Sequence, residues 1–188
     1  MKVALGAFVL LLASPMALAQ TMPGDAFADG KDNAKVHKAS GFICPAKIGL
    51  FERDAVGDAD PETQTDFCAY SVLNGVYGTI KLTPLTGAYD PKASMAADFS
   101  EQEGTGGKEI SEKPEVLAGG AEPLSVYART YETSKLEELH YRVLFTGAAL
   151  KNWAVETTIE YADPRDTPLE QDFLRATYAA AQSQIGAK

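Results

Sequence analysis

Three stretches in the second half of the chain alternate inward and outward side chains with the period of two that is typical of β-strands. They span residues 124–132, 138–146 and 152–161. In the last stretch the inward positions are Trp153, Val155, Thr157, Ile159 and Tyr161. This alternation indicates an antiparallel sheet with one face on a core and the other face in water. We therefore predict three long strands that are covered on one side.

Shorter strand-like runs occupy residues 47–53, 67–73, 76–82 and 108–113. The dipeptide Asn74-Gly75 lies between the second and the third of these runs. Asn-Gly is the strongest short-range hairpin signal, because a two-residue type I′ turn needs positive φ at both central positions. We therefore predict a β-hairpin at this point. The acidic stretch 54–66 is interpreted as a solvated loop.

Two helices are indicated by their capping residues. Asp90-Pro91 can cap and open the first helix, which we expect to run through Phe99 and to end before Gly104. Thr167-Pro168-Leu169-Glu170 forms a capping box with proline at the first helical position, and Gly186 stands at the expected end. The apolar stripe of this closing helix comprises Leu169, Phe173, Ala176, Ala180 and, further along, Ile185.

Together these elements predict a single α+β domain over residues 41–188. Its antiparallel sheet is expected to have six or seven strands and to carry two helices, with the C-terminal helix packed on the apolar face. Residues 20–40 are rich in Gly, Asp, Ala and Lys without a sustained apolar period. They are predicted to form a flexible lead-in.

The order of strands, helix, hairpin-connected strands and closing helix over residues 42–186 resembles the PsbP-like α+β domains found in exported and thylakoid-lumen proteins. Such domains mostly act as non-catalytic accessory or binding modules. The resemblance implies this class of function and assigns no role to any single residue.

The first nineteen residues have the features of a signal peptide. Lys2 supplies a positive charge, residues 3–13 are apolar, and Ala17-Leu18-Ala19 offers the small-x-small cleavage pattern. The apolar stretch is shorter than the roughly 20 residues needed to span a bilayer. We expect a mature protein that begins at Gln20, carries no membrane anchor, and is located in the periplasm or outside the cell.

The net charge and the apolar content exclude some classes of protein and of partner. The chain has a formal net charge of −9 and 45% hydrophobic residues. The apolar content excludes wholesale disorder, and the acidity argues against nucleic acid as a partner. We expect a soluble monomer without a cofactor.

Cys44 and Cys68 are the two cysteines of the chain. In an exported protein they are expected to pair as a structural disulfide, because no C-x-x-C spacing suggests a redox centre. Closing this loop would stabilise the fold by about 3.5 kcal/mol in the chain-entropy model.

The sequence contains only weak signals for metal, nucleotide-binding or catalytic sites. Asp58, Asp60 and Glu62 place oxygen ligands at alternate positions, but the glycine and the final glutamate of an EF-hand are missing. They are a weak calcium candidate beside the simpler reading of a solvated loop. The glycine-rich run 104–108 lacks the Walker pattern. No nucleophile elbow is present, and His37 lies in the predicted lead-in.

The polar face of the three long strands is the candidate ligand or partner surface. It comprises Tyr127, Arg129, Tyr131, His140, Arg142, Glu156 and Glu160. Tyrosines supply rigid contact area and arginines supply forked donors, a combination suited to a peptide, a glycan or a partner protein. The alternatives are ordinary cross-strand ion pairs on a solvated sheet, or inward packing of the two tyrosines if the register shifts by one residue.

These observations favour an exported, non-catalytic binding or accessory protein of the cell envelope. The alternative from another class is a carboxylate-dependent hydrolase of cell-wall or extracellular polymer that uses Glu156 and Glu160. Four residues apart on one strand, these carboxylates would lie about 13 Å from each other, beyond the range of direct cooperation. A third alternative is a purely structural envelope protein without a small ligand.

Overall fold

The computed structural model describes residues 26–73, 75–118 and 120–185. The predicted leader, Asn74 and Gly186 lie outside these ranges. In chain order the elements are β1 (Phe27–Asp29), a 3-10 turn (Lys31–Asn33), β2 (Lys35–His37), β3 (Ile43–Cys44), β4 (Lys47–Ile48), β5 (Phe51–Asp60), β6 (Thr65–Val72), β7 (Val76–Pro84), α1 (Pro91–Ser94), α2 (Ala96–Gly104), β8 (Lys108–Glu112), β9 (Glu115–Leu117), β10 (Leu124–Leu136), β11 (Leu139–Leu150), β12 (Trp153–Asp163) and α3 (Thr167–Ile185).

One large antiparallel sheet organises the fold. Its strands lie in the order β4-β5-β6-β7-β12-β11-β10-β8, and β9 pairs with the free part of β10. The sheet and the closing helix confirm the α+β class. The described residues contain twelve strands, more than the six or seven predicted, because β1 to β4 and β9 are only two or three residues long. Strands of that length carry no detectable period in the sequence.

Residues 26–40 do not form the predicted flexible lead-in. Here β1 and β2 pair with each other, and β3 joins β2 to complete a small three-stranded sheet. Phe27 and His37 are buried, the latter with 1% of its surface exposed. The prediction fails because this segment is ordered by tertiary contacts, which composition alone does not reveal.

The acidic stretch 54–66 is also more regular than expected. Strand β5 continues to Asp60 and pairs with β6, with register shifts near Arg53 and near Asp60. Beyond Arg53 the outer edge of β5 is an edge of the sheet, where charged side chains and bulges are tolerated. Asp54, Asp58 and Asp60 therefore belong to a strand and not to a loop.

The predicted hairpin between β6 and β7 is confirmed, with a different turn. Val72 lies opposite Val76, so three residues separate the paired positions instead of two. Gly75 adopts a φ of 85°, the left-handed conformation that favours glycine in a turn.

Helices cover both faces of the sheet. Asp90 caps α1 as predicted, since its side chain accepts hydrogen bonds from the backbone N–H groups of Lys92 and Ala93. The expected single helix is interrupted at Met95, which separates α1 from α2. These two helices lie on one face and α3 lies on the other. The prediction that one face is open to water is therefore wrong for the part of the sheet beneath α2.

Helix α3 begins at Thr167, as the sequence predicts, but without the expected capping box. The Thr167 hydroxyl donates to the carboxylate of Asp163, and Glu170 is buried. The buried positions of the helix are Glu170, Phe173, Leu174, Thr177, Tyr178, Ala181 and Ile185. Ala176, predicted to be inward, is exposed.

The main core lies between α3 and the sheet, and a smaller core lies beneath α2. Phe173 of α3 sits directly over Gly78 of β7, where a Cβ atom would come within 2.7 Å of the ring. The smaller core consists of Met95, Phe99, Tyr131, Val143 and Phe145. The sheet is thus the middle layer of three.

The predicted disulfide is confirmed. Cys44 of β3 is bonded to Cys68 of β6, with 6.3 Å between their Cα atoms and a sequence separation of 24. Both cysteines are fully buried. The bond joins the small N-terminal sheet to the large sheet.

Candidate functional site

The seven residues of the predicted polar face are divided between the two faces of the sheet. Arg129 lies opposite Phe145, and Tyr131 lies opposite Val143. Glu156 and Glu160 share this face, which α1 and α2 partly cover. His140 and Arg142 alternate with Val143 along β11, and their side chains therefore belong to the face that carries α3. The register differs by one residue from the expected one.

Arg129 fastens α2 to the sheet. Its guanidinium lies 4.4 Å from the ring centre of Phe99 and 5.1 Å from that of Tyr131. It also donates to Glu103 at 3.3 Å and, through Nε, to Glu109 at 3.0 Å. The Tyr131 hydroxyl donates to the same carboxylate of Glu103 at 3.0 Å. The alternative of inward packing is correct for Tyr131, which is fully buried.

Glu156 fastens the segment before α1 in a similar way. The Tyr89 hydroxyl donates to its carboxylate at 2.9 Å, and burial raises the pKa of this carboxyl. The Tyr89 hydroxyl lies against Gly147, where a Cβ atom would come within 2.1 Å of it. Beside this contact, Lys81 of β7 donates to Asp98 of α2 at 2.8 Å. Glu156 is therefore a buried structural carboxyl.

His140 and Arg142 form cross-strand contacts on the other face. His140 bonds Glu132, and Arg142 pairs with Asp163 at 2.9 Å. Such partly exposed pairs contribute little to stability. They agree with the alternative prediction of ordinary cross-strand ion pairs on a solvated sheet.

Asp58, Asp60 and Glu62, the weak calcium candidate, lie at the end of β5 and in the turn that follows it. The Asp60 carboxylate accepts hydrogen bonds from the backbone N–H of Glu62 at 3.0 Å and from the Thr63 hydroxyl at 2.8 Å. It therefore closes the turn after β5. Within the described part of the chain, no three His, Cys, Asp or Glu side chains are arranged to hold a metal ion.

Ser40, His37 and Asp66 form a hydrogen-bonded Ser-His-Asp arrangement that no sequence motif predicted. The Ser40 hydroxyl donates to Nδ1 of His37 at 2.7 Å, and the backbone N–H of Ser40 points at the same nitrogen. Nε2 therefore carries the proton and donates it to Asp66 at 2.9 Å. The Ser40 hydroxyl also accepts the backbone N–H of Phe42 at 3.1 Å.

This triad locks the N-terminal sheet onto the body of the protein. His37 lies edge-on to Trp153, with ring centres 5.2 Å apart, and both Ser40 and His37 are buried. A nucleophile would need an approach path to its hydroxyl, which this packing denies. No sequence signal distinguishes these residues, because His37 and Asp66 are far apart along the chain.

Near the β6–β7 hairpin, α1 and α2 leave part of the sheet uncovered. Tyr77 is 52% exposed and lies opposite the exposed Glu160. Leu73, in the turn of the hairpin, is 91% exposed. We call this region the open sheet end.

A cavity of about 250 Å³ lies at the open sheet end. Its lining includes Gly75, Thr133, Tyr141, Arg142, Glu160 and Arg165. It brings the hairpin turn together with β11, β12 and the segment before α3. Of the predicted site residues, only Arg142 and Glu160 line it.

The charges around the cavity are unevenly balanced. Arg142 pairs with Asp163, and Arg165 donates through two nitrogens to Asp166. Over the described ranges, no ion pair reaches Glu160. Within the described ranges, Glu160 is therefore a carboxylate of the cavity without an ion-pair partner, next to tyrosine side chains.

Comparison with protein-family models, with curated proteins and with solved structures gives no match to this chain. The resemblance to PsbP-like domains therefore stays a prediction. None of the helices in the described ranges is both long enough and apolar enough to cross a bilayer.

Proposed function

We propose that the chain is an exported, non-catalytic binding or accessory protein of the cell envelope, and that the open sheet end holds a partner protein. The observation that carries the proposal is the exposure of Leu73 and Tyr77 beside the cavity. Exposed apolar and aromatic groups that lie together next to polar ones are typical of protein-binding surfaces.

The chemistry of the surface favours a protein over a glycan. Leu73 projects an aliphatic side chain from the hairpin, and Tyr77 adds a rigid ring with a hydroxyl. Short side chains lie beside them on the same face, at Ser71 and Thr79, so a partner can approach the strands closely. Tyrosine is among the residues that contribute most to protein interfaces.

The proposed location rests on two features. The predicted leader, residues 1–19, is that of an exported protein. The buried disulfide between Cys44 and Cys68 is of a kind that forms and persists in oxidising compartments. The periplasm or the extracellular space is therefore the proposed site of action.

The hydrolase alternative receives less support. Glu156 is buried and bound by Tyr89, whereas Glu160 lies in the open at the sheet end. A glycosidase needs both carboxyl groups on one substrate, separated by at most roughly 9.5 Å. Four residues of strand place these two about 13 Å apart. The pair is therefore better explained by one structural and one surface role.

Site-specific photo-cross-linking tests the proposal. A photoreactive phenylalanine analogue is placed at position 77, and in a control protein at position 116, where Val116 is 71% exposed on the edge strand β9. We expect discrete adducts in the producing cell from position 77 only. The adducts are identified by mass spectrometry, which also locates the cross-linked segment of the partner.

Two outcomes would contradict the partner-binding role. One is the absence of any adduct from position 77 in a protein whose circular dichroism matches that of the unmodified chain. The other is the same set of adducts from positions 77 and 116, which would indicate non-specific collision.

A further inference from the structure

We infer that the cavity at the open sheet end receives an arginine side chain of the partner, with Glu160 as its counter-charge. This inference rests on the proposed function and specifies the chemistry of the partner. It identifies the bound group as a planar cation at the tip of a long side chain.

The charge of the cavity supports a cation. Both arginines of the lining form ion pairs with neighbouring carboxylates, Arg142 with Asp163 and Arg165 with Asp166. The side chain of Arg142 also points away from that of Glu160, because it alternates with Val143 along β11 and lies on the α3 face. Glu160 remains without an ion-pair partner within the described ranges, and the whole chain is acidic. An anionic ligand would meet repulsion from both sources.

The geometry favours arginine over lysine. Tyr77 lies directly opposite Glu160 across the β7–β12 pair, and Tyr141 lines the cavity on the neighbouring strand β11. A guanidinium stacks on aromatic faces and offers a planar fork of donors to a carboxylate, which an ammonium does not. The Thr133 hydroxyl, also in the lining, can accept a further N–H.

The size of the cavity agrees with one side chain. Its volume of about 250 Å³ lies below the roughly 300–1,000 Å³ that is usual for sites of drug-sized ligands and cofactors. A single residue of a docked segment is therefore the fitting occupant, with Leu73 and Tyr77 contacting the residues on either side of it.

The test uses N-acetyl-arginine amide as the probe and N-acetyl-citrulline amide as its uncharged isostere. Backbone NMR signals are followed during titration of the wild-type protein. We expect saturable shifts around Tyr77, Tyr141 and Glu160 with the arginine probe and at least tenfold weaker binding of citrulline, because a charge-assisted hydrogen bond is lost. Glu160→Gln should weaken arginine binding about tenfold. Glu62→Gln, which removes one exposed carboxylate elsewhere, should leave it unchanged.

Equal binding of arginine and citrulline, no saturable shift, or an unchanged affinity in Glu160→Gln would each overturn the inference. Partner adducts from position 77 together with one of these results would leave the proposed function standing and the arginine assignment wrong. Arginine binding without any partner adduct would instead support the cation specificity of the cavity and contradict the partner-binding role.

Discussion

At the scale of single residues, Glu170 couples the stability of the fold to pH. Its carboxyl is buried at the start of α3, and burial raises its pKa to about 7. The acidic neighbours Glu115 and Asp163 add to this increase, and Arg175 opposes it. The unfolded chain has the ordinary value of 4.5. Between these two values the folded state holds a proton that the unfolded state has lost.

The free energy of unfolding should therefore fall as pH rises from about 4.5 to 7 and stay constant above that range, as far as Glu170 is concerned. Glu170→Gln removes the titrating group, so the variant should gain up to about 3 kcal/mol over wild type at pH 8 and little at pH 4.5. Urea unfolding at both pH values measures this difference. Parallel pH profiles of the two proteins would contradict the assignment; Glu138→Gln, an exposed glutamate, serves as the control.

At the scale of elements, α1 and α2 are held by specific contacts more than by their own helical tendency. They have four and nine residues, lengths at which isolated helices are marginal in water. Tyr89, just before α1, donates to Glu156 of the sheet, and Lys81 of the sheet donates to Asp98 of α2. Arg129 of the sheet donates to Glu103 near the end of α2. These contacts, together with the apolar packing of Met95 and Phe99, hold the two helices on the sheet.

Replacing Arg129 should loosen α2 in particular. Arg129→Ala removes the contact with the Phe99 ring and the pairing with Glu103 and Glu109, and should cost about 2 kcal/mol of unfolding free energy. Hydrogen exchange should accelerate most in residues 96–104. Lys113→Ala, which removes an exposed cation after β8, is the control and should change stability by less than about 0.5 kcal/mol. Uniform acceleration over all elements would contradict the local role.

At the scale of the whole molecule, the N-terminal sheet is attached to the large sheet at separate points. The disulfide joins β3 to β6, His37 bonds Asp66, and Gln184 of α3 accepts the backbone N–H of Ile43 at 2.7 Å. The small sheet covers one end of the main core, where Phe27 and His37 are buried. Its attachment therefore contributes to the stability of the entire fold.

Removing the disulfide should destabilise the protein as a unit. The double variant Cys44→Ser/Cys68→Ser should lose about 3.5 kcal/mol of unfolding free energy, since the unfolded chain regains the entropy of a 24-residue loop. Urea unfolding of wild type with and without reductant, compared with the variant, measures this loss. Reductant should shift the wild-type midpoint and leave that of the variant in place. Equal midpoints for oxidised wild type and the variant would show that the bond carries no stability.

Local signals in the sequence were sufficient for the elements that depend on local chemistry. Asp90-Pro91 predicted the start of α1, Asn74-Gly75 predicted the β6–β7 hairpin, and the period-two pattern of 152–161 predicted β12 and its inward face. The pairing of Cys44 with Cys68 followed from their being the two cysteines of the chain. Capping, turn formation and strand alternation each depend on a few neighbouring residues, and two cysteines can form only one disulfide with each other.

Only the tertiary structure decided on which face of the sheet each side chain lies and which residues pair between strands. The sequence shows the alternation along β11, but which face is buried depends on what covers the sheet. Helices α1 and α2 bury Val143 and Phe145 on the face of Arg129 and Tyr131, which was predicted to be in water. A one-residue shift then moved His140 and Arg142 away from Arg129. The docking of the N-terminal sheet and the cavity beside Glu160 arise from residues far apart in sequence, so no local pattern could contain them. The chain thus determined where most strands and helices form, whereas packing between them determined which side chains meet.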